Sequence, residues 1–256
     1  MLQELYAGSV EDAKIRQESV SLAQVERLAL QTVPALNALQ ALAPGDHIKV
    51  LAEVKRASPS KGHLADIPNP AILANTYAQN GASAISVLTE QRKFKGSLDD
   101  LRGVRANVNV PLLRKDFIAN EYQILEARAA GADIILLIVA GLKQAEILRL
   151  KKCTEELGMT AFIETHDAAE LERALEAEGK LVGVNARDLS TFETDRNLFA
   201  KLAPMIPQGV IKVAESAVRN ADDVAHYRAA GADVVLVGEA LVTSDSATTL
   251  RSFLAI

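Results

Sequence analysis

Apolar residues recur along the chain in short, nearly unbroken runs: Ile48–Ala52, Ala84–Leu88, Pro111–Leu113, Ile134–Val139, Ala161–Ile163, Leu181–Val184, Ile211–Val213 and Val234–Val237. Runs this short, with so few polar interruptions, read as strands of a parallel sheet covered on both faces. Between them lie polar loops followed by amphipathic, helix-like stretches. Gly81, Gly131, Gly158, Gly179 and Gly231 each stand shortly before a strand, where a left-handed residue ends a helix. Arg128-Ala-Ala-Gly131-Ala-Asp133 and Arg228-Ala-Ala-Gly231-Ala-Asp233 repeat one supersecondary unit almost unchanged. Ahead of the first strand, residues 1–31 set Ile15, Leu22, Val25, Leu28 and Leu30 among charges, which predicts an amphipathic helix that Pro34 stops. That added element is placed to cover one end of the fold or to help close a site.

Eight such units in 256 residues predict an α/β fold, a single-domain (β/α)₈ TIM barrel over residues 47–256 with a helical extension over 1–46. A doubly wound open sheet is the alternative. No Gly-x-Gly-x-x-Gly turn follows any strand, and the unit count fits closure. Hydrophobic residues at 49% supply a sizeable core, and a net charge of -5 argues against nucleic acid as a partner. The one cysteine, Cys153, excludes an intrachain disulfide and a cysteine metal cluster, and reads as an inert helix-surface residue. His47, His63, His166 and His226 lack metal-ligand spacing, so neither a metal nor a cofactor is expected. The start of the chain lacks a signal pattern, and the apolar run from Ile134 to Leu142 is too short to span a bilayer. The expectation is a cytoplasmic monomer without a membrane partner.

In such a barrel, chemistry belongs at the carboxyl ends of the strands. Glu53 and Lys55 follow the first strand at alternate positions and share a side, and Ser58-Pro59-Ser60 with Gly62 then turns the chain into a loop. A structural ion pair is the plainer reading of those two charges. The second strand ends in Thr89-Glu90 and a basic loop, Arg92-Lys93-Phe94-Lys95, which is either solvated or folded over a ligand. Then come Lys115 and Phe117, Glu164, Asn185 and Arg187, Glu215 and Ser216, and Gly238 and Glu239. Basic groups gathered at one rim of an acidic chain imply an anionic ligand. Phosphate fits best, since the last two loops offer the Ser216 hydroxyl and a close backbone approach at Gly238.

Glu-Val-Lys-Arg-Ala-Ser-Pro-Ser-Lys-Gly from Glu53, Ser-Val-Leu-Thr-Glu from Ser86, Leu-Arg-Lys-Asp-Phe from Leu113, Gly-Val-Asn-Ala-Arg-Asp-Leu from Gly183 and Ala-Glu-Ser from Ala214 resemble the indole-3-glycerol-phosphate synthase family, in order along the chain. The first and third motifs are the specific ones. The resemblance implies ring closure of 1-(2-carboxyphenylamino)-1-deoxyribulose 5-phosphate, with release of carbon dioxide and water, in tryptophan biosynthesis. It assigns the acid at the substrate ketone to Lys115, and sets Glu53, Lys55 and Glu164 as the further acid and bases without dividing their labour. Asn185 and Arg187 are expected to hold Glu53 and the substrate carboxylate. Ser58, Phe94 and Glu215 are expected to contact substrate, with Pro59, Phe117 and Leu189 as the slot for its aromatic ring. Phosphate falls to Lys55, Ser216, Ala217, Gly238 and Glu239. Ala217 departs from the family's usual glycine, which matters if φ is positive there. A second ammonium and burial are expected to lower the Lys115 pKa.

Two rivals stay open on sequence. One is a sugar-phosphate isomerase or aldolase using Lys115 as a Schiff base, which borohydride with substrate would trap. The other is a phosphate-ligand sensor on a barrel scaffold, in which Lys115→Ala would leave signalling intact.

Overall fold

The computed structural model describes residues 1–188, 191 and 193–256. Its strands in chain order are β1 (Lys49–Val54), β2 (Ala57–Ser58), β3 (Gly62–His63), β4 (Ala84–Leu88), β5 (Leu112–Lys115), β6 (Ile134–Ile138), β7 (Thr160–Thr165), β8 (Leu181–Asn185), β9 (Ile211–Glu215) and β10 (Val234–Val237). β2 and β3 form a small antiparallel pair in the loop after β1. The other eight close into a parallel barrel in the order β1-β10-β9-β8-β7-β6-β5-β4, which excludes the open sheet. The predicted strands are all present, but several run on past their apolar residues. Glu53, Lys115, Glu164, Asn185 and Glu215 therefore lie inside strands, not in the loops after them. Strand backbone fixes a side chain's direction more tightly than a loop does, and the two-residue period aims these five into the barrel.

Register confirms the common direction. Glu53 pairs with Ser86, Leu88 with Lys115, Glu164 with Gly183, and Asn185 with Glu215. Arg114 has the opposite parity and is buried outside the barrel wall, donating to Thr89, Asp116 and the Gln123 carbonyl. The repeated Asp133 and Asp233 are clamps: each accepts the amide of a neighbouring strand, Leu112 at 2.8 Å and Lys212 at 2.9 Å. Gly81, Gly131, Gly158 and Gly231 take the left-handed conformation expected of them, at φ 97, 91, 76 and 91. Gly179 does not, because the residue before it, Glu178, makes that turn at φ 54.

The N-terminal segment is two helices, α1 (Leu2–Ser19) and α2 (Leu22–Gln31), because Ser21 starts a new helix with a capping box to Gln24. The expected apolar stripe is largely wrong: Ile15, Leu22, Leu28 and Leu30 are exposed and only Val25 is buried, with Ala29 one turn on completing the inner face of α2. The buried face of α1 is instead Leu5, Tyr6, Gly8, Ser9 and Ala13. Tyr6 packs edge-on against Phe117 at 5.6 Å, and Ser9 donates to Asp116 at 2.9 Å. Arg16 forks onto Glu126 at 2.6 and 2.8 Å. α1 thereby lies beside the carboxyl ends of the strands. Among the described residues no helix is long and apolar enough to cross a membrane.

Candidate active site

A cavity of about 670 Å³ opens at the carboxyl ends of the barrel strands. Glu53, Lys55, Ser58, Pro59, Phe94, Lys115, Phe117, Glu164, Asn185, Arg187, Glu215, Ser216, Ala217, Gly238 and Glu239 all line it. Of the expected site residues, only Leu189 is absent from this set, and it lies outside the described residues. Leu2 and Leu5 of α1 line the mouth as well, as do Arg196 and Arg219, which lie outside the motifs, and Lys61, which lies within the first motif but is not among the expected site residues. The extension thus helps to close the site.

Two charge clusters organise the interior. Lys55 Nζ lies 2.6 Å from Glu53 Oε2. Lys115 Nζ donates to Glu164 Oε2 at 2.8 Å and to Glu215 Oε2 at 3.1 Å. Burial alone would push the Lys115 ammonium down, but Glu164, Glu215 and Glu53 outweigh it and raise its pKa. The expected lowering is therefore overturned, because Lys55 is engaged with Glu53 while Lys115 faces carboxylates. Burial works against an ionised Glu164 too, yet Lys115 and His166 hold it well below the usual carboxylate range. Glu215, buried and beside the Glu164 charge, is pushed up to about 8. The Lys115 and His166 charges thus favour ionisation of Glu164, whereas burial and the Glu164 charge favour the protonated form of Glu215.

Asn185 does not hold Glu53. Its Nδ2 donates to Glu164 Oε1 at 3.1 Å, while its Oδ1 accepts from Ser216 Oγ at 2.8 Å and from the Arg187 amide at 3.1 Å. The Arg187 guanidinium reaches Ser60 Oγ at 3.4 Å, tying the loops after β1 and β8 together. Ser58 Oγ accepts the Lys61 amide at 3.3 Å. In the basic loop, Glu90 accepts the amides of Arg92, Lys93 and Phe94 at 2.9, 2.7 and 2.8 Å. Arg92 turns outward to Asp12 and Glu11 of α1, and Phe94 turns inward, 6.1 Å from Phe117. That loop therefore supplies an apolar wall to the cavity, and its Arg92 fastens α1.

His166, which lacks metal-ligand spacing, is half-buried beside Glu164, with Nε2 3.3 Å from Glu164 Oε1. The signal was present as carboxylates two residues before it and four after it.

A Cβ at Gly238 would overlap Glu53 Oε2 and lie 3.0 Å from Lys55 Nζ, so the ends of both side chains would have to shift. Gly183 likewise leaves room for Glu215 Oε1. Gly238→Ala is expected to displace the Glu53–Lys55 pair and lower kcat by about 10²-fold. Steady-state kinetics checks this, with circular dichroism showing an intact fold.

Ser216 and Ala217 both have positive φ, 68 and 57. The Ser216 carbonyl is held there by the Tyr227 hydroxyl at 3.2 Å. An alanine in this conformation costs about 1–2 kcal/mol, more than the about 0.5–1 kcal/mol of unfolded-chain entropy that glycine adds. Ala217→Gly is therefore expected to raise the melting temperature, read by thermal denaturation.

The family model described as indole-3-glycerol phosphate synthase matches residues 2–253. The indole-3-glycerol phosphate synthase of Leifsonia xyli subsp. xyli is 62% identical over 253 residues, covering 99% of this chain and 97% of that one. That of an Arthrobacter species is 54% identical over 247 residues, 95% of this chain and 91% of its own. Among solved structures, 3-hexulose-6-phosphate synthase from Salmonella typhimurium superposes with a TM-score of 0.65 at 16% identity, covering 81% of this chain and 97% of that one. N-acetylmannosamine-6-phosphate 2-epimerase from Clostridium perfringens gives 0.63 at 15% identity, covering 84% and 95%. At such identity these two show the barrel alone. With motifs, barrel and near-full-length relatives in agreement, the chain belongs to the indole-3-glycerol phosphate synthase family.

Proposed function

We propose that this cavity closes the indole ring of 1-(2-carboxyphenylamino)-1-deoxyribulose 5-phosphate, releasing carbon dioxide and water on the way to tryptophan. The observation that carries the reading is the Lys115 ammonium hydrogen-bonded to both Glu164 and Glu215 inside the cavity. In the first stage the carboxylate-bearing ring carbon attacks the ketone. Lys115 donates its proton to the ketone oxygen as that becomes a hydroxyl. Glu215, protonated near neutral pH, lies 3.1 Å from Lys115 Nζ and can return a proton to it. Loss of carbon dioxide then restores the aromatic ring.

The second stage expels the new hydroxyl as water. An acid protonates it while a base takes the nitrogen proton, and a proton shift from the adjacent carbon back to nitrogen completes the indole. Glu164, ionised and facing the cavity, serves as base, and the Glu53–Lys55 pair serves the leaving hydroxyl. Phe94, Phe117 and Pro59 flank the aromatic ring, and Arg187 receives the benzoate carboxylate. Lys55 and the backbone around Ser216, Ala217, Gly238 and Glu239 receive the phosphate. Ser216 Oγ is occupied by Asn185, so its amide is the better donor.

A Schiff base at Lys115 is disfavoured, because that chemistry needs a neutral amine and this one is raised by its carboxylates. The proposal takes the chain as one barrel domain with its extension, acting in the cytoplasm as a monomer. One contiguous core that includes Leu5, Tyr6 and Leu42 with the barrel strands supports the single domain. The test is incubation with the carboxyphenylamino-ribulose phosphate, without metal or cofactor, while indole fluorescence is followed. Appearance of the signal is expected. Its absence at every substrate concentration overturns the reading.

A further inference from the structure

His166 sits just past the end of β7, outside the cavity lining, with its side chain 11% exposed. Its ring lies between two carboxylates. Nδ1 is 3.0 Å from Glu170 Oε2, which also accepts the His166 backbone amide at 2.8 Å. Nε2 is 3.3 Å from Glu164 Oε1. Nδ1 is hydrogen-bonded to Glu170, while Nε2 meets Glu164 at ion-pair distance without a hydrogen bond, so the ring pairs with both carboxylates only as a cation. Glu170 lies in the first turn of the helix Ala168–Glu176, so a regular helix fixes the far side of the bridge.

The three polar partners of Glu164 divide between its oxygens. Oε2 faces Lys115, and Oε1 faces Asn185 and His166. When Lys115 turns to the substrate oxygen, only the Oε1 side stays anchored, and Oε2 becomes free toward the cavity.

We propose that His166 is a positioning residue: braced by Glu170, it holds Glu164 Oε1 from behind and keeps that carboxylate aimed and ionised as the base. The inference rests on the role given to Glu164 above. The charged and titratable groups facing the Glu164 carboxylate are Lys115, His166, Glu215 and, from α1, the Tyr6 hydroxyl, while those facing His166 are Glu164 and Glu170. Burial opposes a charged His166, but the two carboxylates overcome it and push its pKa up to about 10. The cation therefore persists across the range in which Glu164 acts.

The test compares kcat, KM and the pH profile of kcat for the wild type, His166→Ala and His166→Gln by indole fluorescence. His166→Ala is expected to lower kcat by about 10²-fold with KM unchanged, because the residue does not line the cavity. Removing the cation raises the Glu164 pKa, so the acid limb of the profile moves to higher pH by about one unit or more. His166→Gln keeps a donor without the charge and should recover part of kcat, but not the limb. An acid limb unmoved in both variants overturns the proposal, as does a loss carried wholly by KM.

NMR of the wild-type ring gives a second readout, independent of folding of the variants and of turnover. A doubly protonated His166 well above the ordinary histidine range supports the bridge, and a singly protonated ring at neutral pH overturns it. A wild type that turns over no substrate would instead sink the assignment of the reaction, leaving the ring measurement to decide this one.

Discussion

Lys115→Met is expected to abolish measurable indole formation while substrate still binds. General acid catalysis of this kind is worth roughly 10²–10⁴-fold, and Lys115 is the cation hydrogen-bonded to both Glu164 and Glu215. In the proposed reading, substrate affinity rests on the phosphate and carboxylate contacts at the rim, which the substitution leaves alone. Stability moves as well. Removing one partner from a buried charged cluster costs about 3–5 kcal/mol when the rest stays charged, but two features soften the loss here. His166 still faces Glu164, and Glu215 already sits at about 8 and can remain protonated. With the lowering influence of Lys115 gone, the folded pKa of Glu215 rises further. A carboxyl group raised above its unfolded value of about 4.3 destabilises the fold increasingly as pH climbs from there to the folded value. Wild-type Glu215 stops contributing to this loss above about 8, so the melting temperature of Lys115→Met should fall relative to wild type from there upward, and parallel denaturation curves at several pH values check it.

Glu164→Gln is expected to lower kcat by about 10²–10⁴-fold with little change in KM, and to be better tolerated by the fold than Lys115→Met. The reason lies in what remains. Burial raises Glu215 and the Glu164 charge raises it further, so loss of that charge lets Glu215 ionise and take over as the counter-ion of Lys115. His166 keeps Glu170 but loses its other carboxylate. Its raised pKa contributes stability that is full below the unfolded value of about 6.5 and is lost as pH rises through about 10. The depressed Glu164 works in the other direction, contributing above about 4.3 and fading as pH falls through its folded value. The deficit of Glu164→Gln should therefore be largest between about 4.3 and 6.5 and shrink in alkali. A deficit that grows with alkalinity would contradict this electrostatic account.

The barrel was legible because its strands are apolar on both faces and its helices end on left-handed turns, and both signals are local. Lys115, Glu164 and Glu215 were legible as residues at strand ends, but not as a triad, because adjacency around a closed sheet is not written in sequence separation. For the same reason the sign of the Lys115 shift is not legible: two lysines at one rim do not reveal which partner each ammonium takes, and Lys55 turns to Glu53 while Lys115 faces Glu164 and Glu215. Asn185 was placed on the wrong glutamate because it neighbours β7 across the register, on the Glu164 side. The extension misled for a purely local reason. Ala29, one turn after Val25, is the other buried residue of α2, so the larger Leu22, Leu28 and Leu30 are left outside. His166 escaped notice because its partners are carboxylates, whereas the search was for metal ligands.

The most direct test of the central claim is the structure of the complex with a substrate analogue whose ketone is reduced to an alcohol. The account predicts that oxygen within about 2.6–3.2 Å of Lys115 Nζ, with the phosphate at the Ser216 and Gly238 loops. An oxygen turned away from Lys115, or a phosphate bound at Lys115 itself, would contradict it.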